Sequence, residues 1–335
     1  MADLAFTPLL ITLLALSVIF DFINGFHDTA NAVATVISTR VLSPWAAIIM
    51  AGVLNFVGAV SGTAVAQTVG SGIVGTQVPL LAVASALVGA ILWNLITWYY
   101  GIPSSSSHAL IGGLIGAGVG ALGVGAVHWD VLAGKVLLPL IASPVAGFFI
   151  ALLLMKLFYR IFATMAPARV GRLFRRSQIL SAAFMAFSHG GNDAQKTMGI
   201  ITLGLVSAGA LPRFEVPLWV ILLSATTMAL GTAAGGRRII HTMGMRLTHL
   251  EPIHGFTAET SAALVIETAS RLGFPLSTTH VISATILGVG SARRMNAVRW
   301  DVVGNMVRAW IFTIPTSAAL SLGAFLALRL VLGTG

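Results

Sequence analysis

"DFINGFHDTANAVATV", residues 21–36, places two carboxylates (Asp21, Asp28), an imidazole (His27) and two carboxamides (Asn24, Asn31) between apolar runs. The run before it, residues 4–20, carries no charge. Of the 335 residues, 57% are hydrophobic and only 9% charged, against about 25% charged in soluble domains. Stretches close to the ~20 apolar residues that cross a bilayer recur along the whole length. This is the composition of an all-α polytopic membrane protein of the cell (plasma or inner) membrane, with no room for a separate soluble domain. A charged side chain at the bilayer centre costs roughly 2.5–3.5 kcal/mol even on the lenient insertion scale. The polar groups of residues 21–36 are therefore expected to line a cavity and to serve function.

Cysteine is absent, which excludes disulfides and thiolate metal sites. The opening residues, MADLAF, lack the basic start of a cleavable signal peptide, so residues 4–20 are read as part of a retained helix. The formal charge of +9 is unevenly spread. Residues 1–155 hold two basic side chains, Arg40 and Lys135, and four acidic ones; residues 156–335 hold seventeen basic and six acidic. Most of the positive charge falls in loops, which speaks for membrane topology and a lipid bilayer surrounding, with no nucleic-acid partner.

The sequence repeats itself. "FINGFHDTAN" (22–31) aligns with "FSHGGNDAQK" (187–196), which sets Asp28 on Asp193. "SGTAVAQTVG" (61–70) aligns with "LGTAAGGRRI" (230–239), "GIPSSSSH" (101–108) with "GFPLSTTH" (273–280), and "HWDV" (128–131) with "RWDV" (299–302). These anchors keep one order and one offset of roughly 170 residues. They divide the chain into a first repeat (1–155), a basic cytoplasmic linker (156–178) and a second repeat (179–335). The linker holds Lys156, Arg160, Arg169, Arg172, Arg175 and Arg176 and no acid. Matching loops differ in charge. Residues 67–79 carry none, whereas their counterpart carries Arg237, Arg238 and Arg246; residues 122–128 have no Lys or Arg, whereas theirs have Arg293, Arg294 and Arg299. Equivalent loops then lie on opposite sides of the membrane. The repeats are expected to be inverted, with an odd number of crossings each and both termini outside.

Residues 5–39 as one helix would be about 52 Å long, against an apolar core of about 30 Å. A break is expected at residues 24–28, where Gly25 can leave helical torsions, and again at residues 188–193, with Gly190 and Gly191. "YYGIPSSSSH" (99–108) and "RLGFPLSTTH" (271–280) end one helix with Gly and Pro and start another with hydroxyl residues. They are read as tips of re-entrant hairpins, because a transport site needs free helix ends and unwound backbone inside the membrane. Helix N-termini offer N–H groups and a positive dipole end to an oxyanion. Asp28 and Asp193 are the expected cation (metal-ion) ligands, helped by Asn24, Asn55 and Ser224. Asn31, Ser104, Ser105, Ser106, Ser107, Asn192, Lys196, Ser277, Thr278 and Thr279 are the expected anion-binding residues. Together these describe a cation-coupled anion symporter, with no catalytic residue and no cofactor beyond the coupling ion.

"GFHDTANAVAT" (25–35) with "SHGGNDAQKTMGI" (188–200) resembles the paired signature of the inorganic phosphate transporter (PiT) family, whose usual core reads Gly-x-Asn-Asp-x-x-Asn. The two Ser/Thr-His tips resemble that family's hairpins, and the resemblance covers essentially the whole chain. It implies uptake of inorganic phosphate by symport with Na⁺ or H⁺, through a transport domain packed against a scaffold, often as a homodimer. The signature Asp maps to Asp28 and Asp193, and the trailing Asn to Asn31. The first copy departs with His27 where Asn is usual, and the second with Lys196 where the first has Asn31. Because the family includes sulfate permeases, sulfate stands as an alternative substrate, and a metal–phosphate complex as an alternative to the free anion. An intramembrane aspartyl enzyme built on Asp28 and Asp193 is the rival from another class, and a channel is a third. Symmetric sets of oxygen ligands suit alternating access better than hydrolysis.

Plainer roles stand beside these. Lys196 lies three residues after Asp193, within reach of an ion pair on a helix. His27, His108, His189 and His280 titrate near neutral pH, yet a hydrogen-bonded histidine is commoner than a proton relay. The tip hydroxyls could be helix caps. Glu267 is spaced to pair with Arg271, and Glu259 has no acidic counterpart in the first repeat. Asp130 and Asp301 read as helix N-caps after interfacial Trp129 and Trp300. Asp21 falls nearer the end of the apolar run, matches Ala186, and is expected to matter less. The Gly-rich run 111–125 serves close helix packing, and no strand precedes it to make a dinucleotide fingerprint.

Overall fold

The structure, a computed structural model, describes residues 7–332. The two ends, with their expected placement outside, lie beyond the described residues. Thr7 starts the first helix: its hydroxyl accepts from the N–H of Leu10 at 3.3 Å, and Pro8, with no N–H to lose, takes the first turn. The helix α1 then runs unbroken over Pro8–Ser38. Next come α2 (Pro44–Ala59), α3 (Ala64–Gln67, continued by a π-turn over Thr68–Gly72), α4 (Leu80–Tyr100) and α5 (Ser106–Leu122). The short α6 (Trp129–Val131) leads through a second π-turn into α7 (Leu138–Ile161). The order then recurs: α8 (Pro167–Ser207), α9 (Leu218–Ala234), α10 (Arg237–His241, continued over Thr242–Arg246), α11 (Pro252–Arg271), α12 (Thr278–Arg293) and α13 (Trp300–Leu332). Among the described residues there is no strand, only an isolated bridge between Val74 and Val127.

The breaks lie elsewhere than expected. Neither α1 at residues 24–28 nor the 41-residue α8 at residues 188–193 is interrupted. Gly25 and Gly190 are contact points: a Cβ on Gly25 would meet the Met228 carbonyl oxygen at 2.6 Å, and one on Gly190 the Asn55 carbonyl oxygen at 2.2 Å. The excess length of α8 goes into a basic first stretch with Arg169, Arg172 and Arg175 exposed. The linker is accordingly mostly helical, and only residues 162–166 separate α7 from α8. The bends fall instead between α2 and Ala64–Gly72, at 67°, and between α9 and Arg238–Arg246, at 64°.

The hairpins follow from local sequence. Gly101 and Gly273 take φ of 64° and 75°, a left-handed conformation that residues with a Cβ rarely adopt. Ser105 and Ser277 then cap the outgoing helices, each hydroxyl accepting from the N–H three residues on, of His108 and His280, at 3.2 Å. Asp130 and Asp301 sit within the first turns of α6 and α13 and not at the cap, which in α6 is His128.

The repeats interlock. α1 packs along α9 and α8 along α2; α13 lies across the α4–α5 hairpin, and α7 lies along α12. Each closing helix thus supports the hairpin of the other repeat. Pro8–Ser38, Leu80–Tyr100, Trp129–Ile161 and Trp300–Leu332 are long and apolar enough to span a bilayer, and each bent pair adds one more if it counts as a single span. The outer face of α7 exposes Leu138, Ile141, Val145, Phe149 and Leu153, and that of α13 exposes Ile311, Phe312, Leu326 and Leu330. Large apolar side chains on the outside at helical spacing describe a surface for lipid. The protein is a multi-pass membrane protein whose central helices α1 and α8 carry its buried polar residues.

Candidate functional site

The signature segments of α1 and α8 meet both hairpin tips in one buried cluster. On α1, Asp28 Oδ1 lies 2.5 Å from His27 Nδ1 and accepts from Ser106 Oγ at 3.4 Å. The other ring nitrogen of His27 is 3.1 Å from Thr97 Oγ1, which also accepts from Ser104 Oγ at 2.8 Å. One turn later, Asn31 Nδ2 crosses to the second hairpin and donates to Thr278 Oγ1 at 3.1 Å and Thr279 Oγ1 at 2.9 Å. On α8, Asp193 Oδ2 accepts from Thr278 Oγ1 at 3.2 Å. Lys196 Nζ donates to Asp193 Oδ1, to Ser107 Oγ of the first hairpin, and to the Leu276 carbonyl at 3.1 Å. Each signature helix therefore touches both tips. Asp28, Asp193, Lys196 and the four tip hydroxyls of Ser106, Ser107, Thr278 and Thr279 are all buried.

His189, one turn before Asp193, completes the cluster. Asn55 spends its amide N–H on Thr232 Oγ1 at 2.7 Å, so its oxygen, 3.2 Å from His189 Nδ1, accepts from that nitrogen. His189 Nε2 lies 3.2 Å from Asp193 Oδ2. Asp28, His189 and Asp193 each offer a ligand atom, and the three lie within 4.8 Å of one another. Two carboxylates and an imidazole this close form a seat for a cation.

Other expected residues are placed differently. Ser104, Ser105 and Ser277 spend their hydroxyls within their own hairpins, on Thr97 and on the two caps. Asn192 braces the second turn, donating to Ser270 Oγ at 2.8 Å and to the Phe274 carbonyl at 3.2 Å. Asn24 reaches Met228 Sδ at 3.9 Å, and its oxygen is buried without a partner, as is the hydroxyl of Ser224. Neither bonds to Asp28 or Asp193. His108 and His280 pack ring to ring at 5.0 Å behind the tips, His280 stacking on Trp310 at 4.0 Å.

Two further carboxylates are buried in the helix bundle. Asp21 is fully buried and accepts from Thr197 Oγ1 at 2.8 Å. The helix continues well past it, to Ser38. Glu259, also fully buried, accepts from Thr35 Oγ1 at 2.5 Å, Gln178 Nε2 at 3.1 Å and Ser181 Oγ. A lone acid in the weakly polar stretch 253–266 was the available signal. Glu267 pairs with Arg271 at 2.9 Å.

Two clefts flank the cluster. One, of about 370 Å³, is bordered by Tyr99, Gly101, Arg238, Thr242 and Arg246 beside the first hairpin turn. There Arg238 stacks over Trp98 and Tyr99 at 5.1 Å, and Phe26 meets Trp98 edge-on at 5.4 Å. The other, also about 370 Å³, is bordered by Ser61, Gly191, Gln195, Glu267, Ser270 and Arg271 beside the second.

Comparison with known proteins gives a consistent set of relatives. Residues 24–321 match the phosphate transporter family. The "probable low-affinity inorganic phosphate transporter" of Rhizobium meliloti is 48% identical, covering 98% of this chain and 99% of that protein. The protein of the same name from Bacillus subtilis is 44% identical over 96% of this chain and 97% of its own. Among solved structures, "The sodium-dependent phosphate transporter" superposes with a TM-score of 0.90 at 28% identity, covering 97% of this chain and 100% of that one.

Proposed function

The chain belongs to the phosphate transporter family, and from that premise we propose that it carries inorganic phosphate across the cell membrane by cation-coupled symport with alternating access. The observation that carries this reading is the convergence of Asp28, His189 and Asp193 with the hydroxyl-bearing N-termini of α5 and α12 at one buried point. Phosphate near neutral pH carries between one and two negative charges, and two bare carboxylates would repel it. A cation held by Asp28, His189 and Asp193 offsets them and makes the field that admits the anion. The Ser106, Ser107, Thr278 and Thr279 hydroxyls and the free N–H groups of the two helix starts then hold phosphate. Binding of cation and phosphate is thus positively coupled, each tightening the other by the same factor. Na⁺ and H⁺ both remain coupling ions of this scheme. In the inverted arrangement the two flanking clefts lead to opposite sides, the one at Arg238 inward and the one at Gln195 outward. The finer expectations belong to the same reading: phosphate preferred over sulfate, termini outside, and a homodimer.

The test is reconstitution of purified protein into liposomes with labelled phosphate or sulfate under imposed Na⁺ or pH gradients. Uphill accumulation of phosphate, seen only when one ion gradient is supplied, is the expected result. Equilibration without accumulation would make the protein a channel, and a preference for sulfate would change the substrate. A chelator added to the same assay decides between free phosphate and its complex with a divalent cation.

A further inference from the structure

Two repeated signatures with two carboxylates suggest two mobile cations. The trailing positions break that symmetry, since Asn31 stands in one copy and Lys196 in the other. An ammonium has three N–H donors. Those of Lys196 are all spent, on the Asp193 carboxylate, the Ser107 hydroxyl and the Leu276 carbonyl. These acceptors come from α8, from the tip of the first hairpin and from the unwound turn of the second. One carboxylate, one hydroxyl and one backbone carbonyl form an oxygen set of the kind that seats a monovalent cation at a broken helix. Lys196 is 1% exposed, so the charge is held for the cluster and not for water. With its donors committed, Lys196 has none left for phosphate in this arrangement, which departs from its expected role as an anion ligand.

We propose that Lys196 is a tethered counter-ion whose ammonium occupies the second cation seat, so that one coupling cation moves with each phosphate where the repeat would suggest two. The proposal rests on the symport reading given above. Asn31 brings no charge, its Oδ1 is buried without a partner, and the protein neighbours of Asp28 are the His27 imidazole at 2.5 Å and the Ser106 hydroxyl. That cation binds among Asp28, His189 and the Oδ2 side of Asp193, while Lys196 holds the Oδ1 side. With both aspartates ionised, Lys196 charged and the His27 and His189 rings neutral, the cluster carries one net negative charge. A single cation cancels it, and a second would find no free carboxylate. Glu259 has hydroxyl and amide donors of its own and Asp21 the Thr197 hydroxyl, and neither hydrogen-bonds to Lys196.

The count is read from the wild-type protein in liposomes at zero voltage, as the ion gradient that just halts flux down a fixed gradient of phosphate monoanion. With one coupling ion, an about tenfold phosphate gradient is balanced by an about tenfold opposing ion gradient; with two, an about threefold gradient suffices. We expect the tenfold value, and the threefold value in wild type overturns the proposal. Lys196→Asn restores the residue of the first copy and should move the balance to about threefold. A transporting Lys196→Asn variant that still balances at tenfold also overturns it. If that variant does not transport, the wild-type count decides. Failure of the symport reading looks different: no ion gradient drives accumulation in wild type at all.

Discussion

Asp28 and Asp193 match in sequence and differ in what their loss would do. Asp28→Asn removes the carboxylate of a residue that has a histidine and a hydroxyl as neighbours. It should abolish ion-driven accumulation and leave the melting temperature nearly unchanged. Asp193→Asn strands the ammonium of Lys196, and breaking one side of a buried pair costs about 3–5 kcal/mol. It should lower the melting temperature in detergent sharply, and adding Lys196→Met should restore stability without restoring transport. Equal melting of the two single variants would mean that the Lys196 pair contributes nothing. Gly190 gives a second residue-scale test. Its Cβ would sit 2.2 Å from the Asn55 carbonyl oxygen, so Gly190→Ala should destabilise by about 1–3 kcal/mol. Gly171→Ala, where nothing lies within 4 Å, should be neutral or stabilise by about 0.5–1 kcal/mol; thermal melting of both variants checks the contrast. The two signature aspartates were legible because a charge in an apolar run has to be explained. The brace at Asn192 was not, since its partners Ser270 and Phe274 stand 78 and 82 residues away.

At the scale of elements, the hairpins separate two kinds of hydroxyl. Ser105 and Ser277 are caps, so Ser105→Ala and Ser277→Ala should cost about 0.5–2 kcal/mol of stability each and leave the phosphate KM alone. Ser106→Ala, Ser107→Ala and Thr279→Ala should raise that KM, and Thr278→Ala most of all, because Thr278 joins Asn31 to Asp193. Uptake kinetics in liposomes checks the split, and a uniform response of all six would dissolve the distinction. The hairpin tips could be read from sequence because Gly-x-Pro followed by Ser and Thr is a local signal of chain reversal. The unbroken passage of α1 through Gly25 and of α8 through Gly190 could not. Excess helix length has two outlets, a kink or an extension past the membrane, and only the positions of α2 and α9 show that those glycines are touched by backbone. The extension makes its own test. A lone cysteine from Arg172→Cys, in the exposed start of α8, should react with a membrane-impermeant thiol reagent from the cytoplasmic side only. Reaction from outside would reverse the orientation.

For the whole molecule, the repeat was visible in the order of its anchors, but the exchange of partners between repeats was not, because no motif records which helix lies on which. That exchange sets a timetable for synthesis. The α4–α5 hairpin leaves the ribosome early, yet its turn is held by Trp310, whose indole N–H donates to the Pro103 carbonyl at 3.1 Å, and its second helix by Ser321, donating to the Gly113 carbonyl at 2.9 Å. Both belong to α13, which is translated long after the hairpin. At ~5–20 residues per second, the hairpin waits roughly 10–40 s for its support. During that interval its hydroxyl tip and glycine-lined groove face lipid or a chaperone. A nascent chain released before Trp300 should therefore carry a first hairpin open to protease, though every residue of that hairpin is present. Co-expression of residues 298–335 as a separate segment should protect it. Quality control of this protein would then act on α13, whose arrival decides whether the much earlier hairpin is kept.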